Sequence, residues 1–179
     1  MNRLSGFSDL SFRPLQFADL PALHGWLCRP HVAQWWGTAP SRAEVQMDYA
    51  PTIEPGCTTR GFIALLGSRP IGFIQSYVVM GSGGGWWEGE RDPGARGIDQ
   101  FVAHAHDLGQ GLGSTMVRRF VDDLFQDPAV TQVQTDPSPD NLRAIRSYRR
   151  AGFEPHAQVH TPDGPALLML RRRSTAPAA

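Results

Sequence analysis

Leu108-Gly109-Gln110-Gly111-Leu112-Gly113 stands between an apolar segment, Ile98-Asp99-Gln100-Phe101-Val102, and a run from Ser114 to Phe125. In and just before that run, Leu112, Met116, Val117, Phe120, Val121, Leu124 and Phe125 recur at three- and four-residue spacing, which predicts a helix. Strand, glycine turn and helix in this order make a phosphate-binding arrangement. Glycines let the backbone approach an anion, and the first free N–H groups of the helix point at it. No Lys-Ser/Thr follows, so the turn is not a P-loop, and its glycine spacing is not the dinucleotide pattern. A flexible connection would look much the same. The case therefore needs a second feature, and one lies between Asp136 and Phe153.

At 179 residues the chain predicts one domain, residues 1–179, with enough mass for a proper core. Formal net charge is zero, which argues against nucleic acid as a partner. All 17 basic residues are arginine, which points to a compositional bias of the source more than to a mechanism. Met1–Ser8 has no apolar core of a signal peptide, and no apolar run approaches the roughly 20 residues of a membrane span. Cys28 and Cys57 match no metal spacing. Free thiols in a reducing cytoplasm are the expectation.

Leu10 to Arg13 alternates as a first strand. Asp19 is a plausible N-cap for a helix burying Leu20, Leu23, Trp26 and Leu27. Trp35 and Trp36 are adjacent, so one packs and the other faces a surface or cleft. Ser41-Arg42-Ala43-Glu44 fits a capping box for a helix over Arg42–Ala50. Strands Gly61–Leu66 and Ile71–Val79 form a hairpin about Gly67–Pro70. The segment Met80–Gly97 holds Gly81-Ser82-Gly83-Gly84-Gly85-Trp86-Trp87-Glu88, either an aromatic and acidic binding loop or a long loop folded on its own aromatics. Thr131–Thr135 reads as another strand, ending in a rigid Asp136-Pro137-Ser138-Pro139 turn. Asp140 can cap the helix that ends at Gly152. Strands Glu154–Thr161 and Ala166–Arg171 close the domain, and frayed tails are expected at 1–8 and from Arg171 onward.

Asn141-x-x-Ala144-x-x-x-Tyr148-x-x-x-Gly152-Phe153, downstream of Gly109-Gln110-Gly111-Leu112-Gly113, resembles the GNAT N-acetyltransferase superfamily. The resemblance implies an α/β (α+β) GNAT fold: a mixed, twisted central sheet flanked by helices, its central parallel strands splayed. It also implies acetyl-CoA as co-substrate and no metal, with cofactor contacts at Phe101, Val102, Gln110, Gly111, Leu112, Gly113, Ser114, Asn141 and Tyr148. Further stretches, among them Ala33–Gly37, Gln75–Tyr77, Gly85–Glu88, Arg96–Gln100, Thr135–Pro139 and Thr161–Pro165, are similar to the aminoglycoside 6′-N-acetyltransferases. That likeness runs from about His24 to Leu170 and implies a cytoplasmic resistance enzyme, monomer or homodimer, with an aminoglycoside antibiotic as partner and no nucleic acid or membrane. Its substrate-binding positions would be Trp36, Tyr49, Trp87, Asp99 and Asp136, and the Glu88 carboxylate would add to an acidic cleft for a polycationic acceptor. Two positions depart from the pattern. Leu108 stands where the superfamily often has Gln or Arg, and Gly84 stands where close relatives place Asp.

Acetyl transfer to an amine requires that the amine lose a proton, the carbonyl oxygen be stabilised and the thiolate leave. Asp99, on the central strand, is the chosen base, with a pure cation anchor as the alternative. A backbone N–H near Phe101 can polarise the carbonyl. Tyr148, with a reference pKa of about 10, is the chosen acid, with a core tyrosine as the alternative. Arg118, Arg119 and Arg143 lie either toward cofactor phosphates or on a solvated face. His104-x-His106 lacks a third ligand at useful spacing. Competing readings keep the fold with a siderophore-precursor or peptide amine as acceptor, or make the chain a non-catalytic coenzyme A-binding module.

Overall fold

The computed structural model describes residues 7–174. Its strands are β1 (Leu10–Pro14), β2 (Thr59–Leu66), β3 (Arg69–Val78), β4 (Ala95–Val102), β5 (Gln132–Thr135), β6 (Glu154–Thr161) and β7 (Gly164–Arg172). They form a seven-stranded sheet in the order β1-β2-β3-β4-β5-β7-β6. The helices are α1 (Leu20–Leu27), α2 (Pro30–Trp36), α3 (Arg42–Tyr49), α4 (Leu112–Leu124) and α5 (Leu142–Arg150). β4 pairs in parallel with β5 over Ala95–Gly97 and Gln132–Gln134, while the pairs on either side of these strands are antiparallel. The sheet is therefore mixed, as expected. The parallel ladder is short, because β5 itself ends at Thr135.

The chain divides into two compact units. The first holds the described residues up to Tyr77 together with Asp99–Met116. Its sheet carries side chains on both faces, as a pleat demands. One face holds Ile63, Phe73 and Phe101 with Leu23, Trp26, Leu27, Val32 and Val45 from the helices; the other holds Ala64, Ile71 and Val102 with Leu112 and Met116. The predicted capping box forms: Ser41 Oγ accepts from Glu44 N–H, and the Glu44 carboxylate accepts from Ser41 N–H. Asp19 does not cap α1. It ends a 3-10 turn, Phe17–Asp19, and takes both Arg13 guanidinium nitrogens at 2.6 and 2.7 Å. The hairpin turn is tighter than expected, with Arg69 and Pro70 already in β3, and a bulge between Ala64 and Leu65 absorbs the proline. Pro30–Trp36, left without an element from sequence, is a helix opened by its proline.

The second unit holds Val78–Ile98 and the described residues from Val117 onward. α5 is capped by Asn141, whose Oδ1 accepts from Ala144 N–H at 3.1 Å, and not by Asp140. Gly152, at φ +94°, ends it. The tail expectation is corrected at its start. Arg171 and Arg172 belong to β7, and Arg173 donates to the carbonyls of Val130, Phe125 and Asp127. Residues 1–6 and 175–179 of the expected tails lie outside the described residues.

Gly72 marks the tightest constraint in the first unit. A Cβ there would sit 2.3 Å from the Phe101 carbonyl oxygen of β4. Gly72→Ala should therefore lower the urea midpoint by an amount equivalent to about 1–3 kcal/mol, the usual size for overpacking; an unchanged midpoint would show that the strands yield at no cost.

Candidate functional site

In the first unit, the Ala103 N–H bond to the Ile71 carbonyl, at 2.8 Å, sets which way each β4 residue faces. In an antiparallel pair, alternate residues turn both backbone groups to the same neighbour. Phe101 and Asp99 accordingly face β3 with their N–H groups, and Gln100 and Val102 turn theirs away. The N–H near Phe101 that could polarise a carbonyl is thus Val102's or Gln100's, not Phe101's own. The Val102 carbonyl is already taken by His31 Nε2 at 3.1 Å, and the Ala103 carbonyl by Arg29 at 2.5 Å.

On the face shared by Phe73 and Phe101, four aromatics interlock. Trp36 stands edge-on to Phe101 at 5.0 Å between centroids and to Phe73 at 6.4 Å; Tyr49 stands edge-on to Phe73 at 5.4 Å. Trp36 Nε1–H donates to the Tyr49 hydroxyl oxygen at 2.9 Å. Burial pushes the Tyr49 hydroxyl up to about 12, against the lowering effect of that bond and with a further push from the Asp99 and Asp48 charges. Trp35, its neighbour in α2, is 39% exposed, so the tryptophan pair divides its work as expected. Asp99 is half-buried, and its Oδ2 accepts from Gln75 Nε2 at 2.9 Å.

The glycine turn belongs to the same unit. Gly109 and Gly111 have φ of +77° and +88°, and a Cβ at either would meet nothing within 4 Å, so backbone conformation and not packing selects glycine there. Gln110 folds its amide back onto the His106 carbonyl at 2.7 Å. The Ser114 and Thr115 hydroxyls both donate to the Gly111 carbonyl. Leu112 is buried, as are Phe101 and Val102. The side-chain bonds of Gln110 and Ser114 point back into the turn. Arg69 braces the turn from below by gripping Asp107 at 2.8 and 3.2 Å. Arg29 donates to His104 Nδ1 at 3.0 Å, and burial followed by the Arg29 charge holds His104 below the usual histidine range. Among the described residues no three His, Cys, Asp or Glu side chains gather as a metal site.

The second unit carries the other predicted positions. The loop before β4 turns on Gly81, Gly83, Gly84 and Gly85, all at positive φ, with an isolated bridge between Gly83 and Trp86. Trp87 is itself held at φ +51°, a conformation that costs a bulky residue about 1–3 kcal/mol. Trp86 and Trp87 lie 6.1 Å apart between centroids. Glu88 is exposed, while Glu90 bonds the Arg91 and Asp92 N–H groups and so shapes the loop. Asp136 is half-buried at the end of β5. Tyr148 is 5% exposed and edge-on to Phe153 at 5.6 Å. Arg118 donates to the Arg150 carbonyl at the end of α5.

Residues 16–161 match the family described as acetyltransferase (GNAT) domain. The chain belongs to the GNAT acetyltransferase family. It is 53% identical over 168 residues to aminoglycoside N(6′)-acetyltransferase type 1 of Klebsiella pneumoniae, covering 92% of this chain and 84% of that one. A kanamycin resistance protein of Rhizobium radiobacter is 61% identical over 90 residues, which is 50% of this chain and 83% of that protein. Among solved structures, aminoglycoside acetyltransferase AAC(6′)-Ib in complex with coenzyme A and kanamycin is 51% identical, with a TM-score of 0.88 over 92% of this chain and 95% of that one.

Sequence reasoning quoted Gln75 within a motif but gave it no task. The signal was available: with Phe73 two residues before it, Gln75 puts a polar side chain on an otherwise apolar strand face.

Asp107 supplies a test of the turn's bracing. The Arg69 guanidinium holds its carboxyl below the usual range. A depressed carboxyl contributes stability above the unfolded value of about 4 and loses it as pH falls through the folded value. Asp107→Asn should flatten the acid limb of the urea midpoint between about pH 5 and pH 2. An acid limb identical to the parent's would remove Asp107 from that role.

Proposed function

We propose that this chain transfers the acetyl group of acetyl-coenzyme A to the 6′-amine of an aminoglycoside antibiotic, and that this confers resistance in the cytoplasm where the thioester is made. The observation that carries the reading is Asp99: a carboxylate on the central strand, beside an aromatic wall of Trp36 and Tyr49, in a chain matching a kanamycin-bound relative almost end to end. The whole chain is read as one acetyltransferase domain.

The residues present fit coenzyme A. Two glycines at positive φ precede α4, whose first-turn N–H groups lie outside the intrahelical bonds, so a pyrophosphate finds backbone donors and a helix N-terminus together. Gln110, Gly111, Leu112, Gly113 and Ser114 hold it through main-chain groups. Phe101 contributes by its place in β4, and Val102 and Gln100 through their outward N–H groups. Asn141 retains its Nδ2 donor after capping α5 with Oδ1. When bound, the thioester supplies the activated acetyl group.

Asp99 holds the acceptor's ammonium and takes one of its protons, leaving the nitrogen lone pair to attack. Tyr148 donates its phenolic proton to the departing sulfur. Trp36, Tyr49, Trp87, Glu88 and Asp136 bind the polycationic sugar, aromatic faces against the rings and carboxylates against the ammonium groups. Gly84, where the resemblance in sequence leads one to expect Asp, offers no carboxylate to an acceptor amine.

Thiol release with acetyl-coenzyme A should be rapid with kanamycin and absent with an analogue lacking the 6′-amine; equal turnover of both would overturn the 6′ assignment, and none on any amine would favour a binding module. Asp99→Asn should lower kcat by about 100-fold or more. Tyr148→Phe should lower kcat about 10-fold or more while the KM for acetyl-coenzyme A changes by less than about threefold; the opposite split would remove Tyr148 as the acid.

A further inference from the structure

We propose that Gln134 is a specificity-determining residue for the acceptor: its buried side-chain amide donates a hydrogen bond to a hydroxyl oxygen of the sugar. The inference rests on the reading of the acceptor as an aminoglycoside, and deepens it by naming a group that reads the sugar's oxygens where carboxylates read its amines.

Gln134 lies in β5, within the second unit. It is 2% exposed, and among the described residues nothing accepts a hydrogen bond from its Nε2. The sheet cannot supply that acceptor from a neighbouring side chain. Gln134 pairs with Gly97 of β4 on one side and with Leu170 of β7 on the other, and neither carries a polar side-chain atom. The face is set by the residue beside it. Val133 stands across from Arg171, whose guanidinium bonds the Arg118 carbonyl and the Asp122 carboxylate of α4. The pleat therefore gives Val133 and Thr135 to the α4 side of the sheet, and Gln132 and Gln134 to the other.

On that other side lies the glycine-rich loop before β4. Gln132 Nε2 reaches Glu90 Oε2 at 3.4 Å, and the Glu90 N–H donates to the Trp87 carbonyl at 2.8 Å. These two bonds bring the turn that carries Trp87 onto the face of β5 that carries Gln134. The Trp87 Nε1–H is likewise buried with no acceptor among the described residues. Beyond the strand, the Leu167 N–H bond to the Pro137 carbonyl at 2.9 Å continues the pairing of β5 with β7, so alternation brings Asp136 onto the face of Gln134. Two enclosed, unpaired donors and a predicted substrate-binding carboxylate thus belong to one stretch of the unit.

The chemistry of the donors names what completes them. Buried polar groups in folded chains are nearly always paired, and an unpaired one weighs against folding until a partner arrives. An amide N–H and an indole N–H are neutral, so neither attracts an ammonium group; each calls for a lone pair. An aminoglycoside carries hydroxyl oxygens among its ammonium groups. A site built to bond a hydroxyl rejects an analogue without it more strongly than an apolar pocket does, because the donor is then left unpaired.

The test uses the full chain, acetyl-coenzyme A, kanamycin and kanamycin derivatives that keep the 6′-amine and lack one hydroxyl each, with Gln134→Leu beside the parent. The kanamycin KM should rise about 10-fold or more in Gln134→Leu with kcat held within about threefold. For one derivative, the parent's loss in kcat/KM of about 10-fold or more should shrink to less than about threefold in the variant, while the losses at other hydroxyls persist. Without ligand, the urea midpoint of Gln134→Leu should equal or exceed the parent's, since a purely structural amide would lower it when removed. An unchanged KM, a hydroxyl preference that survives at every position, or a lowered ligand-free midpoint would each overturn the inference. If Gln134→Leu fails to fold, Gln134→Met carries the same measurements. The two readings fail separately: a parent that acetylates no aminoglycoside removes the function itself, whereas an active parent with an identical Gln134→Leu profile removes only this role.

Discussion

The pairing of β3 with β4 is the constraint on which the rest depends. Gly72 lets the two backbones close to a distance no side chain would allow, with the Phe101 carbonyl where a Cβ would stand. Once that approach is made, alternation does the remainder. Phe73 and Phe101 must share a face, Asp99 must follow Phe101 onto it, and the N–H groups of Gln100 and Val102 must turn away from β3. A one-residue slip would send the carboxylate to the opposite face and the aromatic wall with it. The aromatic cluster resists such a slip. Trp36, Tyr49, Phe73 and Phe101 meet edge to face, and each such pair adds about 0.5–1.5 kcal/mol beyond its buried area.

The cluster also fixes a proton. Trp36 Nε1–H has no acceptor role, so its bond to Tyr49 consumes a lone pair of the hydroxyl and leaves the O–H to point elsewhere. With the hydroxyl held near 12, this is a donor at every working pH. A neutral, oriented donor beside an aspartate differs from a cation there. It can donate a hydrogen bond without adding charge. The wall that a sequence reading treats as a stacking surface is therefore also a source of directed polarity.

Much of this was legible in the chain. The apolar periodicity through Ser114–Phe125 and the glycines before it predict a helix and turn, and both form, the helix running over Leu112–Leu124. The spacing Ser41 to Glu44 names a capping box that forms in full. What could not be read was the choice among equivalent side chains. Asp140 and Asn141 are both good caps, and only the backbone angle of Asn141 brings its oxygen onto the Ala144 N–H. Asp19 looked like a cap because nothing local reveals that Arg13, on a strand, would claim its carboxylate. Arg173 looked like tail because its partners are carbonyls of the turn after α4, 43 to 48 residues earlier. Gln75 shows in the sequence only as a polar residue on an apolar strand face, and its bond to Asp99, 24 positions away across a ladder, does not. Local patterns survive in sequence; long-range pairings between polar groups leave no periodicity to find.

The distribution of carboxylate partners carries a further consequence. Asp19 and Asp107 each meet an arginine bidentately, and both are held below the usual carboxylate range. Such a group cannot take a proton near neutral pH with any driving force, so these two serve structure. The bond that Asp99 receives from Gln75 comes from a neutral amide. An arginine at that strand position would orient the carboxylate equally well. It would also depress its proton affinity and set a fixed positive charge on that strand face. Glutamine supplies a hydrogen bond without the charge.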